Sequence, residues 1–400
     1  MAAEIAKTKT AAGQAGRKRK TFNFRFVLAE IDKTFFAIVV ILLVFGLIMM
    51  FSASYATALN QEGDGYYYLK RQLFCALLGL AGMFVASYLD YNFFFNTKVA
   101  YLFFIGSLGL CFYTAFFGEE TADARRWITL FGVQFQPSEM LKIAFIFIFA
   151  FILSVNFQKF DKKWTYCMVP FFLLFAAVFG VLLLQRHMSA CLLFGVIGVS
   201  IMFASGMRKK YFWIFIAICA GIGLLGGLVL ILKGGGNFSY ITDRIQSWRD
   251  PMSDPSDKTH QTYESMLAIG SGGWFGLGFG ESRQKYLYLP ESQNDFVFSV
   301  VCEELGFVGA LAVILLFVMF ILRGYYIATH ARDRFGMLLA TGITTQIGVQ
   351  ALLNIAVASN AFPNTGISLP FFSYGGTALI IQLAEMGILL SISRQANTKK

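Results

Sequence analysis

Charge is scarce in this chain. Of its 400 residues only 14% are Asp, Glu, Lys or Arg, while 57% are hydrophobic, and mean hydropathy is +0.62. A soluble fold of this length could not cover so much apolar surface with so few polar side chains, so a soluble protein is excluded. The short alternating apolar and polar segments of a transmembrane β-barrel are missing as well. The six cysteines (Cys75, Cys111, Cys167, Cys191, Cys219 and Cys302) form no CxxC pair and lie in or beside apolar runs. They read as small apolar fillers, not as a metal site or a disulfide framework. No cleavable signal peptide is expected, because the polar start is long and the first apolar run is long enough to span. Nor is there an internal repeat of the kind that marks many transporters.

What the chain does have is a succession of apolar runs of the length that crosses a bilayer as a helix. The expected fold is an all-α polytopic membrane protein of about ten transmembrane helices. They are placed at 34–57, 71–89, 99–117, 136–156, 166–185, 189–206, 211–233, 295–322, 335–358 and 372–393. Residues 34–393 then form one transmembrane domain, flanked by a basic, disordered tail (1–33) and a short tail (394–400). The net charge of +10 would suit nucleic acid, but topology explains it better. Lys7, Lys9, Arg17, Lys18, Arg19, Lys20, Arg25 and Lys33 precede the first span, and Lys159, Lys162, Lys163, Arg208, Lys209, Lys210, Arg323, Arg332 and Arg334 fall in alternate connections. The positive-inside rule then puts both termini in the cytoplasm and the long connection 234–294, between spans 7 and 8, outside.

That connection is rich in glycine and aromatics, which argues for a folded loop with short helices on the membrane surface. Its glycines, in Ala268–Gly273 and Gly276–Gly280, suit either a tight turn near the headgroups or backbone amides that cradle a phosphate. Tyr288-Leu289-Pro290-Glu291-Ser292-Gln293-Asn294-Asp295-Phe296 enters the eighth span. If Pro290 opens a helix, Glu291 and Asp295 share one face. Asp295 is then a general base, a cation ligand or a helix cap. Arg125-Arg126-Trp127-Ile128 suits a phosphate headgroup. Lys142, about a turn into the fourth span after Gln136-Pro137-Ser138-Glu139, is a costly intramembrane charge; it either serves a ligand or pairs with Glu139. Pro363–Thr377, with two prolines and three glycines, reads as broken helix lining a groove. Glu303, Glu304 and Glu385 fall within spans, with Glu303 close enough to support Asp295.

Together these segments resemble the SEDS family (shape, elongation, division and sporulation) of peptidoglycan glycosyltransferases. The resemblance rests on Arg125–Ile128, Gln136–Glu139 with Lys142, Ala268–Gly273, Gln284-Lys285, Tyr288–Glu291, Asp295-Phe296, Glu303–Gly306, Leu369–Phe371 and Ser373–Gly376. It covers about 34–393, and the Gly276–Lys285 wording is closer to the FtsW/SpoVE branch than to the RodA branch. It implies a multi-pass enzyme of the bacterial cytoplasmic membrane that polymerises lipid II into glycan strands and releases undecaprenyl pyrophosphate. Its implied companions are lipid II and the nascent strand, a class B penicillin-binding protein, and other divisome or elongasome proteins. Asp295 matches the family's catalytic position, and Arg126 and Lys142 match positions important for function. Trp127, Arg244, Glu291, Ser373 and Tyr374 complete the expected substrate-binding set. A divalent cation, Mg or Mn, on Asp295 and Glu291 is an open possibility, with no organic cofactor. Three departures stand out: Gln185-Arg186-His187-Met188-Ser189-Ala190 where the family often has Gln-Pro-Asp-Leu-Gly-Thr, Asn294 for the usual Thr, and Glu264-Ser265 for a common Gln-Ser. A lipid II flippase and a noncatalytic division scaffold are the rival readings.

Overall fold

A computed structural model describes residues 31–397, apart from 122–123, 131–132, 158–164, 186, 208, 215, 218–238, 254–258 and 287. The chain is a bundle of long apolar helices, as a multi-pass membrane protein requires. α1 (Lys33–Glu62), α2 (Tyr67–Tyr88), α3 (Thr97–Phe117), α4 (Pro137–Asn156), α9 (Val297–Thr329), α10 (Arg334–Ala358) and α11 (Gly376–Asn397) are long and apolar enough to cross a bilayer. Two further apolar helices, α5 (Thr165–Leu184) and α6 (Met188–Ala204), join them. Most of the expected span 211–233, and the tail before residue 31, lie outside those residues. The C-terminal helix runs past the expected limit at 393, to Asn397.

The ends of these helices follow from local chemistry. Asp32 caps α1 by accepting the Phe35 N–H at 2.9 Å, and Gly63 closes it in the left-handed conformation. The Asp32 carboxylate also takes the Arg323 guanidinium at 2.8–3.1 Å, tying the start of α1 to the last turns of α9. Pro137 opens α4 at a position where no amide hydrogen is needed.

α4 and α10 are buried along most of their length and form the centre. α2, α3 and α9 expose Leu77, Leu102 and Leu322, a face that suits hydrocarbon and not water. α2 packs along α11. Gly387 lets them close, since a Cβ there would lie 2.3 Å from the Met83 carbonyl oxygen.

α9 is broken at Gly306 (φ 66°, ψ −164°), and the break explains the glycine-rich segment. The carbonyls of Glu303 and Glu304 accept the Leu277 and Gly278 N–H groups at 2.9 and 3.0 Å. The Phe307 and Val308 N–H groups donate to Gly273 and Trp274 at 2.9 and 3.2 Å. The groups freed by the break thus find partners in the glycine-rich segment. Gly276 sits so close that a Cβ would be 2.1 Å from the Glu304 carbonyl oxygen. Gly276 and Gly278 thus serve the tight turn, one of the two uses expected for these glycines. Glu303 is not placed beside Asp295: its carboxylate accepts from Ser282 Oγ at 2.5 Å and from the Arg283 N–H at 2.9 Å. Glu304 accepts from Ser52 and forms a buried ion pair with Lys285 Nζ at 2.7 Å.

One element departs from an all-helical build. Glu119–Thr121 (β1), Ala124–Leu130 (β2) and Val133–Phe135 (β3) form a small antiparallel sheet in the order β1-β2-β3. The Trp127-Ile128-Thr129 run favours a strand. In the long connection, two short helices follow the undescribed residues: α7 (Ser239–Arg249) and α8 (His260–Ser271).

The buried Lys285–Glu304 pair gives the first prediction. Glu304→Ala strands a buried ammonium and should cost roughly 3–5 kcal/mol of stability, whereas replacing both partners with Met should restore most of it. Thermal unfolding of the purified protein in detergent reads both.

Candidate active site

The carboxylate of Asp295 opens into a cavity of about 470 Å³. The sheet, α2, α4, α7 and the heads of α6 and α11 all contribute to its wall. Of the residues expected from sequence, Asp295, Arg126, Trp127, Lys142, Arg244, Glu291 and Tyr374 line it. Ser373 does not. Its hydroxyl accepts the Leu369 N–H at 2.7 Å and donates to the Asn294 carbonyl at 2.5 Å. Its part is to fasten the turn before Asp295 to the head of α11.

The Asp295 turn differs from the expected helix. Residues 290–296 are a turn, and α9 begins only at Val297. Glu291 adopts a left-handed conformation (φ 54°), and the Asn294 and Asp295 N–H groups both donate to its carbonyl, at 2.9 and 3.2 Å. Phe296 occupies the cap position of α9 with no side-chain cap bond. Asp295 is therefore not a helix cap, the bland alternative that sequence leaves open. Its backbone is held from below: Asn354 Nδ2 donates to the Asp295 carbonyl at 2.7 Å and to the Ile367 carbonyl at 2.8 Å. Tyr374 N–H donates to the Gln293 carbonyl at 2.9 Å. Gly366, in the left-handed region at φ 65°, leaves the space beside Asp295 Oδ2 open.

Strained backbone marks the same place. Among the described residues three non-glycines have positive φ: Glu291, Asn360 and Phe371. Glu291 and Phe371 flank the Asp295 turn and the Ser373 latch. Such conformations cost free energy and persist where the surroundings enforce them.

The electrostatics set two groups apart. Burial, followed by repulsion from Glu291, raises the pKa of Asp295 to about 6, although Arg244 and Arg126 pull the other way. His187, one residue before α6, is pushed well below its ordinary value, by burial first and then by Arg126, Lys142 and Arg244. It is a neutral imidazole. The cations are held in place: Arg244 donates to the Asn364 carbonyl at 2.6 Å, Arg126 Nε reaches the Gln185 carbonyl at 3.5 Å, and Lys142 pairs with Glu139 at 2.8 Å. The pairing expected as the bland reading of Lys142 is thus present, and the same lysine faces the cavity.

Sequence reasoning missed several members of the wall. Arg71 lines it and lies 4.4 Å from the Tyr67 ring. In sequence it reads as no more than the polar limit of a span. Gln350, a buried polar residue in the middle of an apolar helix, is a readable signal for another. His187 belongs to the Gln185–Ala190 departure; Arg186 of that stretch lies outside the described residues. Glu385, buried, accepts from Gln346 at 3.0 Å and serves the bundle interior.

The chain matches the family model described as "Cell cycle protein" (FTSW_RODA_SPOVE) over residues 32–398. It is 38% identical to a probable peptidoglycan glycosyltransferase FtsW from Geobacter sp. (strain M18) over 356 residues, 88% of this chain and 94% of the relative. It is 35% identical to stage V sporulation protein E of Bacillus subtilis (strain 168), over 89% of this chain and 95% of that one. A chain from a peptidoglycan synthase complex that coordinates polymerization and crosslinking superposes with a TM-score of 0.74 at 26% identity, covering 92% of this chain and 98% of the other.

A buried carboxyl with a raised pKa costs stability when it ionises. In the folded protein Asp295 holds its proton up to about pH 6, while unfolded it loses it near 3.9. Stability relative to an uncharged isostere therefore falls as pH rises through that window. Asp295→Asn should match wild type in melting temperature near pH 4 and exceed it at pH 7.5, as differential scanning fluorimetry in detergent would show.

Proposed function

The chain belongs to the FtsW/RodA/SpoVE family, the SEDS proteins, and we infer from that membership and from its cavity that it is a peptidoglycan glycosyltransferase of the FtsW/SpoVE branch. The observation that carries the mechanism is one carboxylate of raised pKa facing a cavity bounded by Arg126, Lys142 and Arg244. The donor substrate, lipid II, is a disaccharide on a lipid diphosphate. Its transfer needs a base for the attacking sugar hydroxyl and cations for the leaving diphosphate. Asp295 takes the proton from the 4-hydroxyl of the acceptor GlcNAc. That oxygen forms a bond to the anomeric carbon of the donor MurNAc as the bond to the diphosphate oxygen breaks. Negative charge grows on the leaving group, and Arg126, Lys142 and Arg244 stabilise it without having to reorganise. A single displacement from an α-linked donor to a β-linked product inverts configuration, so no covalent enzyme intermediate is needed. A pKa near 6 suits a general base, which is then ionised at neutral pH yet more basic than an ordinary Asp.

Trp127 and Tyr374 offer aromatic faces to sugar rings, and Tyr374 stacks edge-on against Tyr68 at 4.8 Å. Glu291 and Asp295 are two hard oxygen donors on one turn, a number that suits Mg²⁺ when phosphate oxygens and water fill the remaining positions. An ion held there would add to the screening of diphosphate charge. We place the protein in the bacterial cytoplasmic membrane, with the cavity on the outer face. The likeness to a complex that couples polymerization to crosslinking supports a class B penicillin-binding protein as partner, within a division or sporulation assembly.

The decisive experiment is polymerisation of lipid II by the purified protein, with and without its cognate transpeptidase. Asp295→Asn should reduce the rate by about 10²–10⁴-fold while the protein stays folded in the membrane. The wild-type rate should fall as pH drops through about 6, where Asp295 gains its proton. Undiminished glycan synthesis by the variant would overturn the assignment of the base.

A further inference from the structure

One group on the cavity wall has no part in the mechanism above. His187 sits in the turn between α5 and α6, where its backbone N–H donates to the Leu182 carbonyl at 2.9 Å. Its side chain is 7% exposed and lines the cavity. Nδ1 is buried and has no hydrogen-bond partner among the described residues. A histidine that serves only packing or capping has its ring nitrogens engaged, and the partner fixes the tautomer. Among the described residues Nδ1 lacks such a partner, and His187 makes no side-chain cap bond to α6. Like Gln350 Oε1, Nδ1 is an unpartnered buried atom of a residue on the cavity wall, and a ligand in the cavity is a group that would engage it.

The surroundings say which kind. His187 shares the cavity wall with Arg126 from β2, Lys142 from α4 and Arg244 from α7, and each of the three acts on it electrostatically. The acidic groups of the site are Glu139, paired to Lys142, Glu291 and Asp295 in the turn before α9, and Glu385 on α11, whose influence reaches Lys142. The Gln185 carbonyl, two residues before His187, is the acceptor reached by Arg126 Nε. Burial first, and then the three cations, keep the imidazole neutral, and only the second contribution is one that a bound anion offsets. An anion seated on those cations reverses the local potential, and the imidazole then gains a proton.

We propose that His187 is a substrate-contacting residue that takes up one proton from solvent as a lipid-linked diphosphate binds, and then donates a charged hydrogen bond to it. This rests on the glycosyltransferase reading and deepens it. χ2 of a histidine is a soft torsion, so the ring can turn to meet a ligand in the cavity that His187 lines. The bound diphosphate supplies the missing partner. His187 thus differs from Arg126, Lys142 and Arg244, which carry their charge with or without ligand: it becomes cationic only in the complex. The consequence is a donor affinity that falls as pH rises.

The test is calorimetric titration of lipid II into the purified full-length Asp295→Asn protein in detergent, at pH 7, in two buffers of different ionisation enthalpy. The Asp295→Asn background prevents turnover and removes the other cavity group that titrates near this pH. Lipid II is a diphosphate diester and carries no titrating phosphate there. We expect about one proton taken up per lipid II bound, and an affinity that weakens by up to about tenfold per pH unit between the pKa of the free imidazole and that of the bound one. Adding His187→Gln, which keeps a neutral donor, should abolish the uptake and flatten the pH dependence, with about tenfold weaker binding at pH 6. A merely structural histidine would not move either readout. Binding without proton uptake, or uptake that survives in the His187→Gln protein, overturns the proposal and leaves the glycosyltransferase reading standing. No binding of lipid II at all overturns that reading and this proposal together. The buffer dependence of the parent protein decides on uptake even where His187→Gln fails to fold, and His187→Asn then repeats the assignment.

Discussion

A backbone at membrane depth has no water to satisfy it, and the organisation of this molecule follows from that. The chain breaks helix in two places that matter, at Gly306 within α9 and across Pro363–Gly375. Each break frees amides and carbonyls that must find partners inside the protein. At Gly306 the partners are the backbone groups of Gly273, Trp274, Leu277 and Gly278. Across the second break they are side chains: Asn354 and Ser373 hold the carbonyls of Ile367, Asp295 and Asn294 and the Leu369 N–H. Asn354 and Ser373 are thus buried polar residues that repair broken backbone. What they leave unrepaired, the free faces of Asp295 and His187 above all, opens on the cavity.

Tying the Asp295 turn on both sides also fixes its electrostatics. Asn354 holds the Asp295 carbonyl from α10, and Ser373 holds the Asn294 carbonyl from just before α11. The pKa of Asp295 is raised by burial first and by Glu291 second. Glu291, locked in a left-handed conformation beside it, adds repulsion that a flexible turn would relax away. Of the cations, Arg244 reaches the Asn364 carbonyl and Arg126 the Gln185 carbonyl, while Lys142 is paired with Glu139. A carboxylate of raised pKa and three cations thus share one small space.

The spans, the Asp295 turn and the Arg126–Lys142 segment were legible because they rest on local composition: long apolar runs, and charges where apolar runs begin. The resemblance then singled out Asp295 among several intramembrane acids. What was not legible depended on distant contacts. Glu303 lies two helical turns from Asp295 along the chain, yet the break at Gly306 and the docking of residues 273–285 give it Ser282 and Arg283 as partners. Pro290 followed by Glu291 reads as a helix start, but Glu291 enters the left-handed region and the helix waits until Val297. Ser373 looked like a ligand because it sits in a polar motif; a hydroxyl there is needed to staple two loops. The sheet was hidden because its three strands are short and its pairing is a tertiary fact. Arg71 and His187 were hidden because nothing in their neighbours announces that α2 and the turn before α6 meet at one cavity.

The charges on the cavity wall nearly cancel: Arg71, Arg126, Lys142 and Arg244 against Glu139, Glu291 and an ionised Asp295. Near-neutrality matters most for the buried pair, Glu139 and Lys142, since an uncompensated buried charge is expensive. It also creates a difficulty for catalysis. A lipid diphosphate brings two negative charges, and the cations that receive it are the same ones that hold down the pKa of Asp295. Once they are engaged, the carboxyl would rise further and keep its proton at neutral pH, silencing the base in the very complex that needs it. A group that gains positive charge as the diphosphate arrives offsets this. An additional permanent cation would not serve as well, because it would already have lowered Asp295 in the empty site and weakened it as a base. A histidine held neutral by its neighbours supplies charge only when it is required, and so lets one cavity both bind a diphosphate and keep a carboxylate ionised beside it.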